Sequence, residues 1–234
     1  MGKSLNIKDW LNDFISLIYP NSCICCGKNL IKGEELICMG CLLQLPKTHF
    51  HLLPDNILEK KFWGKADIER VSSYLYYSKK SAIQTILEKL KYSGQKEIGV
   101  VLGKYAASDI LDSDFVKSVD FIVPVPLHKK KLAKRGYNQS LCIAQGMSEI
   151  LHIPISDGNL FRAIENPTQT KKSTYERWEN TKGIFDVNDG SIFDNKHLML
   201  VDDVLTTGST LIACADAIKA KSNAKISVFT IACA

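Results

Sequence analysis

Long hydrophobic runs are missing from this chain of 234 residues. No apolar segment approaches the roughly 18 residues that cross a membrane. Asp9 and Asp13 interrupt the apolar stretch near the start, which argues against a signal peptide. These two absences predict a cytoplasmic protein without a membrane span.

Catalytic motifs built on histidine are also missing. The five histidines show no paired helical spacing, and no Ser–His–Asp or zinc-hydrolase motif is present. This excludes the common hydrolase arrangements and predicts that the histidines are surface residues. They are His49, His51, His128, His152 and His197.

The bulk composition excludes little else. A hydrophobic content of 45% and a charged content of 24% are typical of a soluble globular protein. The length allows one sizeable domain and a small module. The net charge of +5 is compatible with a polyanionic ligand or nucleic acid, and equally with a solvated basic face.

Two Cys-x-x-Cys pairs stand near the N-terminus, with Cys25 as a spare thiol inside the first. This spacing predicts a tetrahedral four-thiolate zinc site, which is structural because four thiolates leave no open position. A segment of about 25 residues would depend on the metal to fold. The alternative is a redox dithiol or chance cysteines. The predicted ligands are Cys23, Cys26, Cys38 and Cys41.

Hydrophobic periodicity gives the organisation of the chain. Residues 6–19 have helical spacing and predict a short helix that docks on the body or on a second subunit; a membrane-surface helix would need a more basic face. We expect residues 1–46 to form this helix and the ribbon, 47–70 an irregular linker, and 71–234 the main domain. Within the main domain, strands are predicted at 71–77, 121–126, 198–201 and 225–232, and helices at 81–91, 97–111, 140–151 and 211–219.

The most informative segment follows the aliphatic strand 198–201. Asp202 and Asp203 come directly after it, at the carboxyl end where ligands of parallel sheets bind. A turn rich in hydroxyl groups leads into the next helix, whose free amides and dipole attract a phosphate. The turn comprises Thr206, Thr207, Gly208, Ser209 and Thr210.

The chemistry of this segment suits a ribose 5-phosphate. Paired carboxylates accept hydrogen bonds from the 2- and 3-hydroxyls of the sugar, and the turn holds the phosphate. Gly208 allows a positive φ and a close approach of the backbone to the anion. The alternative is an ordinary strand exit followed by a helix N-cap.

A basic loop, 127–139, follows the strand that ends in Pro124 and Pro126. Its charge suits a polyanion, although a solvated lysine-rich loop is the alternative. Asn138 or Ser140 is expected to cap the next helix. The ligand-binding residues predicted here are Arg135, Gly136, Asn138 and Gln139.

A polar stretch of about 20 residues lies between core strands and carries spaced cations. Closure of such a loop over a substrate would exclude water from the reacting centre. A disordered surface loop is the alternative. The residues predicted to complete the closed site are Arg162, Gln169 and Arg177.

Residues 201–210 resemble the phosphoribosyl pyrophosphate (PRPP) motif of type I phosphoribosyltransferases. The wider chain, from Pro20 to Ala232, resembles the ComF family of competence proteins, which carry a zinc ribbon. The resemblance implies an α/β type I phosphoribosyltransferase-like fold, a parallel sheet flanked by helices, with a small N-terminal four-cysteine ribbon. It further implies magnesium-dependent phosphoribosyl transfer from PRPP, with Asp202, Asp203, Arg135 and Arg177 as the catalytic residues.

The family resemblance also implies a role in natural competence, at the cytoplasmic side of DNA uptake, with a helicase as partner. An alternative is a non-catalytic adaptor that senses a nucleotide or phosphate and docks the helicase or single-stranded DNA through its ribbon. Direct DNA binding has modest support, because the basic tract 128–135 has few aromatic residues for base stacking. No segment of the sequence indicates which acceptor is used or which oligomeric state the protein adopts.

Overall fold

The computed structural model describes residues 22–163 and 183–234. The helix predicted at 6–19 lies outside these ranges. The chain divides into two compact units, one through Leu45 and one from Pro46 to Ala234. No helix in the described ranges is both long and apolar enough to span a membrane.

The first unit is built around the cysteine pairs. The amide of Gly27 donates to the carbonyl of Cys23 at 2.9 Å, and a φ of 74° at Gly27 closes this turn. An antiparallel bridge joins Ser22 to Asn29. A short helix, α1 (Met39–Leu43), starts directly after Cys38.

The second unit contains six described strands, which in chain order are β1 (Arg70–Tyr76), β2 (Phe121–Pro124), β3 (Leu160–Arg162), β4 (Phe185–Val187), β5 (His197–Leu205) and β6 (Lys225–Cys233). They form a parallel four-stranded sheet of order β1-β6-β5-β2 and a separate antiparallel pair, β3 with β4. The central strands are continuous aliphatic runs, as expected for a sheet covered on both faces.

Helices flank the sheet and begin where polar side chains cap them. Ser81 accepts from the amide of Gln84, and Asn138 accepts from the amide of Ser140. Phe50–Leu52 and Ser191–Phe193 are single 3₁₀ turns. The remaining helices are α2 (Ile57–Lys60), α3 (Ala82–Tyr92), α4 (Glu97–Ile110), α5 (Lys129–Arg135), α6 (Gln139–Leu151) and α7 (Ser209–Lys219).

Helices α4 and α6 pack through glycines. A Cβ atom on Gly103 would overlap the carbonyl of Ile143, and one on Gly146 would overlap the carbonyl of Val100. The two backbones therefore come closer than side chains would permit, which fixes α6 against α4. Asn138, at the start of α6, donates to the carbonyl of Val125 just after β2, so this packing positions one wall of the site described below.

Residues 47–70 differ from the irregular linker that we expected. They carry the 3₁₀ turn and α2, and Phe50, Leu58 and Phe62 are buried in the core of the second unit. Asn56 donates to the carbonyl of Val71 at 2.9 Å and caps α2. The apolar residues follow neither helical nor strand periodicity, so the sequence pattern concealed their burial.

The basic loop predicted at 127–139 was wrong in part, because Lys129–Arg135 forms α5. Lysine, leucine, alanine and arginine are good helix formers. His128 caps the start of this helix, and Gly136 ends it with a φ of 80°.

Candidate functional site

The acid pair lies within β5 rather than beyond its end. Asp202 pairs with Thr230 of β6, and the register continues through Val204 and Leu205. The expected position was wrong because Val204 and Leu205 continue the strand. Since side chains alternate along a strand, Asp202 and Asp203 reach different neighbours.

Asp202 is directed toward α6. Its Oδ1 accepts from the hydroxyl of Ser140 at 2.9 Å and from the amide of Asp203 at 2.9 Å. Burial, and after it the negative charge of Asp203, raise the pKa of Asp202 to about 7, although these two donors act to lower it. A carboxyl group poised near neutrality is characteristic of functional sites.

Asp203 is paired with a cation that the sequence did not single out. Nζ of Lys91, in α3, lies 2.9 Å from Oδ2 of Asp203, and both side chains are largely buried. A lysine in an amphipathic helix is usually a solvated residue.

A cavity of 180 Å³ joins these residues at the carboxyl ends of β2 and β5. It brings together six of the predicted ligand-binding residues, along with side chains that were not predicted. The predicted ones are Asp202, Asp203, Thr210, Arg135, Gln139 and Arg162; the others include Lys91, His128, Lys131 and Ser140.

The two arginines of this cavity are held by neighbours. Nη1 of Arg135 donates to Oε1 of Gln139 at 2.7 Å, and its guanidinium lies 5.5 Å from the ring centroid of Tyr92. The guanidinium of Arg162, at the end of β3, lies 5.5 Å from the ring centroid of Phe185. These contacts within the protein position both cations on the wall of the cavity that contains the acid pair.

The hydroxyl-rich turn forms a second cavity of 40 Å³, lined by Asp202 and residues 204–211. Gly208 has a φ of 79° and supplies no side-chain cap to α7. The amide of Ser209 lies 3.5 Å from Oγ1 of Thr207, a long contact that an anion at the helix start could replace. The hydroxyls of Thr207 and Ser209 lie 3.0 Å apart. The ring of Phe62 packs against Gly208 and supports the turn from below.

Gly136 and Asn138 lie outside the 180 Å³ cavity, which we call the acidic cavity after Asp202 and Asp203. Both line a neighbouring cavity of 680 Å³ between α6, the exit of β2 and β3. Nδ2 of Asn138 donates to the carbonyl of Val125 at 3.0 Å, which fits a role in holding the turn. Gln169 and Arg177 lie outside the described residues.

A third cavity, of 410 Å³, adjoins the acid pair on the side of α3. Lys91 and Asp203 line both this cavity and the acidic one, so their ion pair separates the two. Asp203 is thus flanked by a cavity on each side.

His128 contradicts the prediction that the histidines are surface residues, because it is 6% exposed. Its Nδ1 accepts from the amide of Lys130 at 3.1 Å, which places the ring proton on Nε2 in the neutral form. Within the described part of the chain, Nε2 has no hydrogen-bonding partner. His128 therefore brings an unused N–H donor to the wall of the acidic cavity. His51 is likewise 6% exposed.

The four predicted zinc ligands do come together in the first unit. The sulfur atoms of Cys23, Cys26, Cys38 and Cys41 all lie within 4.8 Å of one another. The amide of Cys38 donates to Sγ of Cys23 at 3.3 Å, as in the outer shell of zinc sites. These residues fit a tetrahedral ion such as zinc.

The thiols of this cluster differ in acidity. Burial raises the pKa of Cys23, but amide donors from Cys38, Cys26 and Cys25 outweigh it and lower that pKa to about 6. Burial and the charge of Cys23 raise the pKa of Cys25 to about 11. Cys25 stands outside the cluster, in agreement with its role as the spare thiol.

Comparison with known proteins adds independent support. Residues 138–233 match the phosphoribosyl transferase domain family. The chain is 27% identical over 230 residues to the DNA utilization protein YhgH of Escherichia coli K12, covering 92% of this chain and 98% of that protein. It is 28% identical over 205 residues to Competence protein F of Haemophilus influenzae, covering 81% and 86%. It is 25% identical over 215 residues to Competence protein ComFC of Bacillus subtilis, covering 86% of each.

The parallel sheet, the acidic cavity at its carboxyl edge and the matched domain define a phosphoribosyltransferase-like protein with the type I fold. The relatives agree with the resemblance found in the motifs. Over most of its length the chain is similar to proteins named for competence and DNA utilization.

Proposed function

We propose that the protein binds PRPP with Mg²⁺ and transfers its phosphoribosyl group to an acceptor, in a pathway of DNA uptake or use. One observation carries the proposal: carboxylates and cations share the 180 Å³ cavity, and the phosphate-type turn opens directly beside it. PRPP presents vicinal hydroxyls, a 5-phosphate and a diphosphate, and each group has a matching set of residues.

The ribose is assigned to the acid pair. The carboxylates of Asp202 and Asp203 accept from the 2- and 3-hydroxyls, while the turn from Thr206 to Thr210 receives the 5-phosphate. Asp202 lines both cavities, which joins the two subsites. Mg²⁺ suits this place because it prefers oxygen ligands, keeps several waters and neutralises the charge of the diphosphate.

The diphosphate is assigned to the basic wall of the cavity. Arg135, Lys131 and Arg162 supply positive charge there, and Nε2 of His128 supplies a neutral donor. During transfer, a nucleophile of the acceptor attacks the anomeric carbon, and the bond to the pyrophosphate oxygen breaks. Prearranged donors stabilise the negative charge that develops on this leaving group.

Lys91 is assigned to charge balance in the site. Its ammonium group neutralises Asp203 in the ion pair, and a ribose bound to Asp203 would free this group to contact the anionic ligand or the acceptor. The predicted lid residues Gln169 and Arg177 are proposed to close over the ligand and exclude water from the anomeric carbon.

A role in DNA uptake rests on the relatives, whose names refer to competence and DNA utilization. A helicase or single-stranded DNA is the partner that this role suggests. The ribbon of the first unit, stabilised by zinc, is the proposed docking element.

Two measurements test the enzyme. Calorimetry with PRPP and Mg²⁺ should give a specific binding isotherm, which the double variant Asp202→Asn with Asp203→Asn should lose while keeping its circular dichroism and zinc content. Pyrophosphate release should then appear with one acceptor in a screen of bases and amines. Tight binding without release from any acceptor would overturn the transferase and leave a sensor that holds PRPP.

A further inference from the structure

A second group of metal-ligating side chains lies in the larger unit, away from the acid pair. His49, His51 and Asp109 each offer one ligand atom, and these atoms all lie within 4.8 Å of one another. His49 and His51 flank Phe50 in the 3₁₀ turn, and Asp109 lies in the last turn of α4. Nothing in the proposed transfer reaction uses these residues.

The three residues are brought together by a rigid scaffold. The amide of Thr48 donates to the carbonyl of Tyr74 at 3.0 Å, so the chain before His49 runs along β1. Phe50 is buried and meets the ring of Tyr76 edge-on, with centroids 5.6 Å apart. This anchoring directs the histidines on either side of Phe50 toward α4.

We propose that His49, His51 and Asp109 bind a divalent transition-metal ion of the zinc class. Two imidazole nitrogens and one carboxylate oxygen form a ligand set that zinc favours, with a fourth position for water. Ligands about 2.0–2.2 Å from a zinc ion lie about 3.3 Å apart in a tetrahedron. The present separations therefore need only small side-chain rotations.

The ammonium group of Lys47 already pairs with Asp109, one of the three proposed ligands. Nζ of Lys47 lies 2.6 Å from the carboxylate of Asp109, and the Lys47 side chain is 35% exposed. It can turn into solvent when a metal ion arrives. The nearby Arg70 adds little repulsion, because it is paired with Glu59 at 2.9 Å.

Metal counting in the full chain tests the site. After equilibrium dialysis against Zn²⁺, His49→Ala with His51→Ala should bind one ion per chain fewer than the wild type, and Asp109→Asn should show the same loss at limiting Zn²⁺. The control His152→Ala removes an exposed histidine and should change nothing. Equal zinc content in the wild type and all variants would overturn the proposal.

Cobalt separates this site from the cysteine cluster. Co²⁺ bound by thiolates gives an intense near-ultraviolet charge-transfer band, whereas Co²⁺ bound by imidazole and carboxylate does not. The His49 and His51 double variant should keep that band and lose one equivalent of Co²⁺. Loss of the band instead would mean that the substitutions act on the cysteine cluster or on folding, which would overturn the assignment.

A substitution at Lys47 should strengthen metal binding rather than weaken it. Lys47→Met removes the competing ammonium group, so Zn²⁺ should bind about two- to fivefold more tightly, the range expected from an exposed ion pair. Unchanged or weaker binding in this variant would show that Asp109 is not a ligand.

Discussion

Nζ of Lys91 lies 2.9 Å from the carboxylate of Asp203, which ties α3 to the acid pair of β5. This ion pair separates the 180 Å³ cavity from the 410 Å³ cavity. The contact shows how a residue far from the motif in sequence becomes part of the same site.

Replacing Lys91 should weaken PRPP binding. Lys91→Met removes a cation from the cavity wall and should lower the affinity about tenfold, the size of one charge-assisted hydrogen bond. Calorimetric titration with PRPP in the presence of Mg²⁺ measures this affinity. Lys89→Met is the matched control, because Lys89 is exposed on the same helix and should leave the affinity unchanged. Equal effects of both substitutions would remove Lys91 from the site.

Asp202→Asn should stabilise the fold at high pH. Burial raises the pKa of Asp202 to about 7, so the folded chain holds a proton that the unfolded chain releases near pH 4. The wild type therefore loses stability as the pH rises from about 4 to about 7, whereas the variant does not. We expect the difference between them to grow by about 1–3 kcal/mol from pH 5 to pH 8.

Urea unfolding at the two pH values measures this difference. The same variant should lose PRPP binding, because an amide replaces a carboxylate at the sugar. A gain in stability with a loss of binding is expected where a site is held in an unfavourable state for function. A pH-independent difference would show that Asp202 is ionised throughout the range.

A substitution at His128 can remove the N–H donor at Nε2 while keeping the group that caps α5. His128→Asn keeps an oxygen that can cap α5 but loses the N–H group at the position of Nε2. The affinity for pyrophosphate should fall about five- to tenfold, as for one lost hydrogen bond, with little change in the melting temperature. Unchanged affinity would leave the buried Nε2 without a ligand role.

Gly208→Ala should destabilise the turn for two reasons. A φ of 79° is strained for alanine by about 1–2 kcal/mol. The new Cβ atom would also lie 2.9 Å from the ring of Phe62. Gly158→Ala is the matched control, since Gly158 has a φ of 81° with open space around it. Chemical unfolding should show a larger loss for Gly208→Ala than for the control, and equal losses would mean that Phe62 gives way freely.

The sequence predicted what is contiguous along the chain. The acid pair and the hydroxyl-rich turn occupy a few successive positions, and the cysteine pairs are set by local spacing, so one pattern defines each of them. The sheet strands and long helices followed from their periodicity. Even there the end of β5 was misplaced, because Val204 and Leu205 keep their pairing with β6.

The site residues that the sequence did not predict are brought to the site by tertiary packing. Lys91 arrives from α3 and Ser140 from α6, and no spacing rule links either residue to Asp202 or Asp203. His128 caps α5, a helix that was expected to be a loop. Phe62 supports Gly208 from a segment that was expected to be a linker. Each of these depends on long-range packing that a single sequence does not display.

The central claim is most directly tested by a crystal structure of the protein with PRPP and Mg²⁺. We predict that the ribose hydroxyls lie within hydrogen-bonding distance of Asp202 and Asp203, that the 5-phosphate rests on the turn at Gly208, and that the diphosphate lies beside Arg135. A ligand bound elsewhere, with the Lys91–Asp203 ion pair intact and the turn empty, would contradict the account.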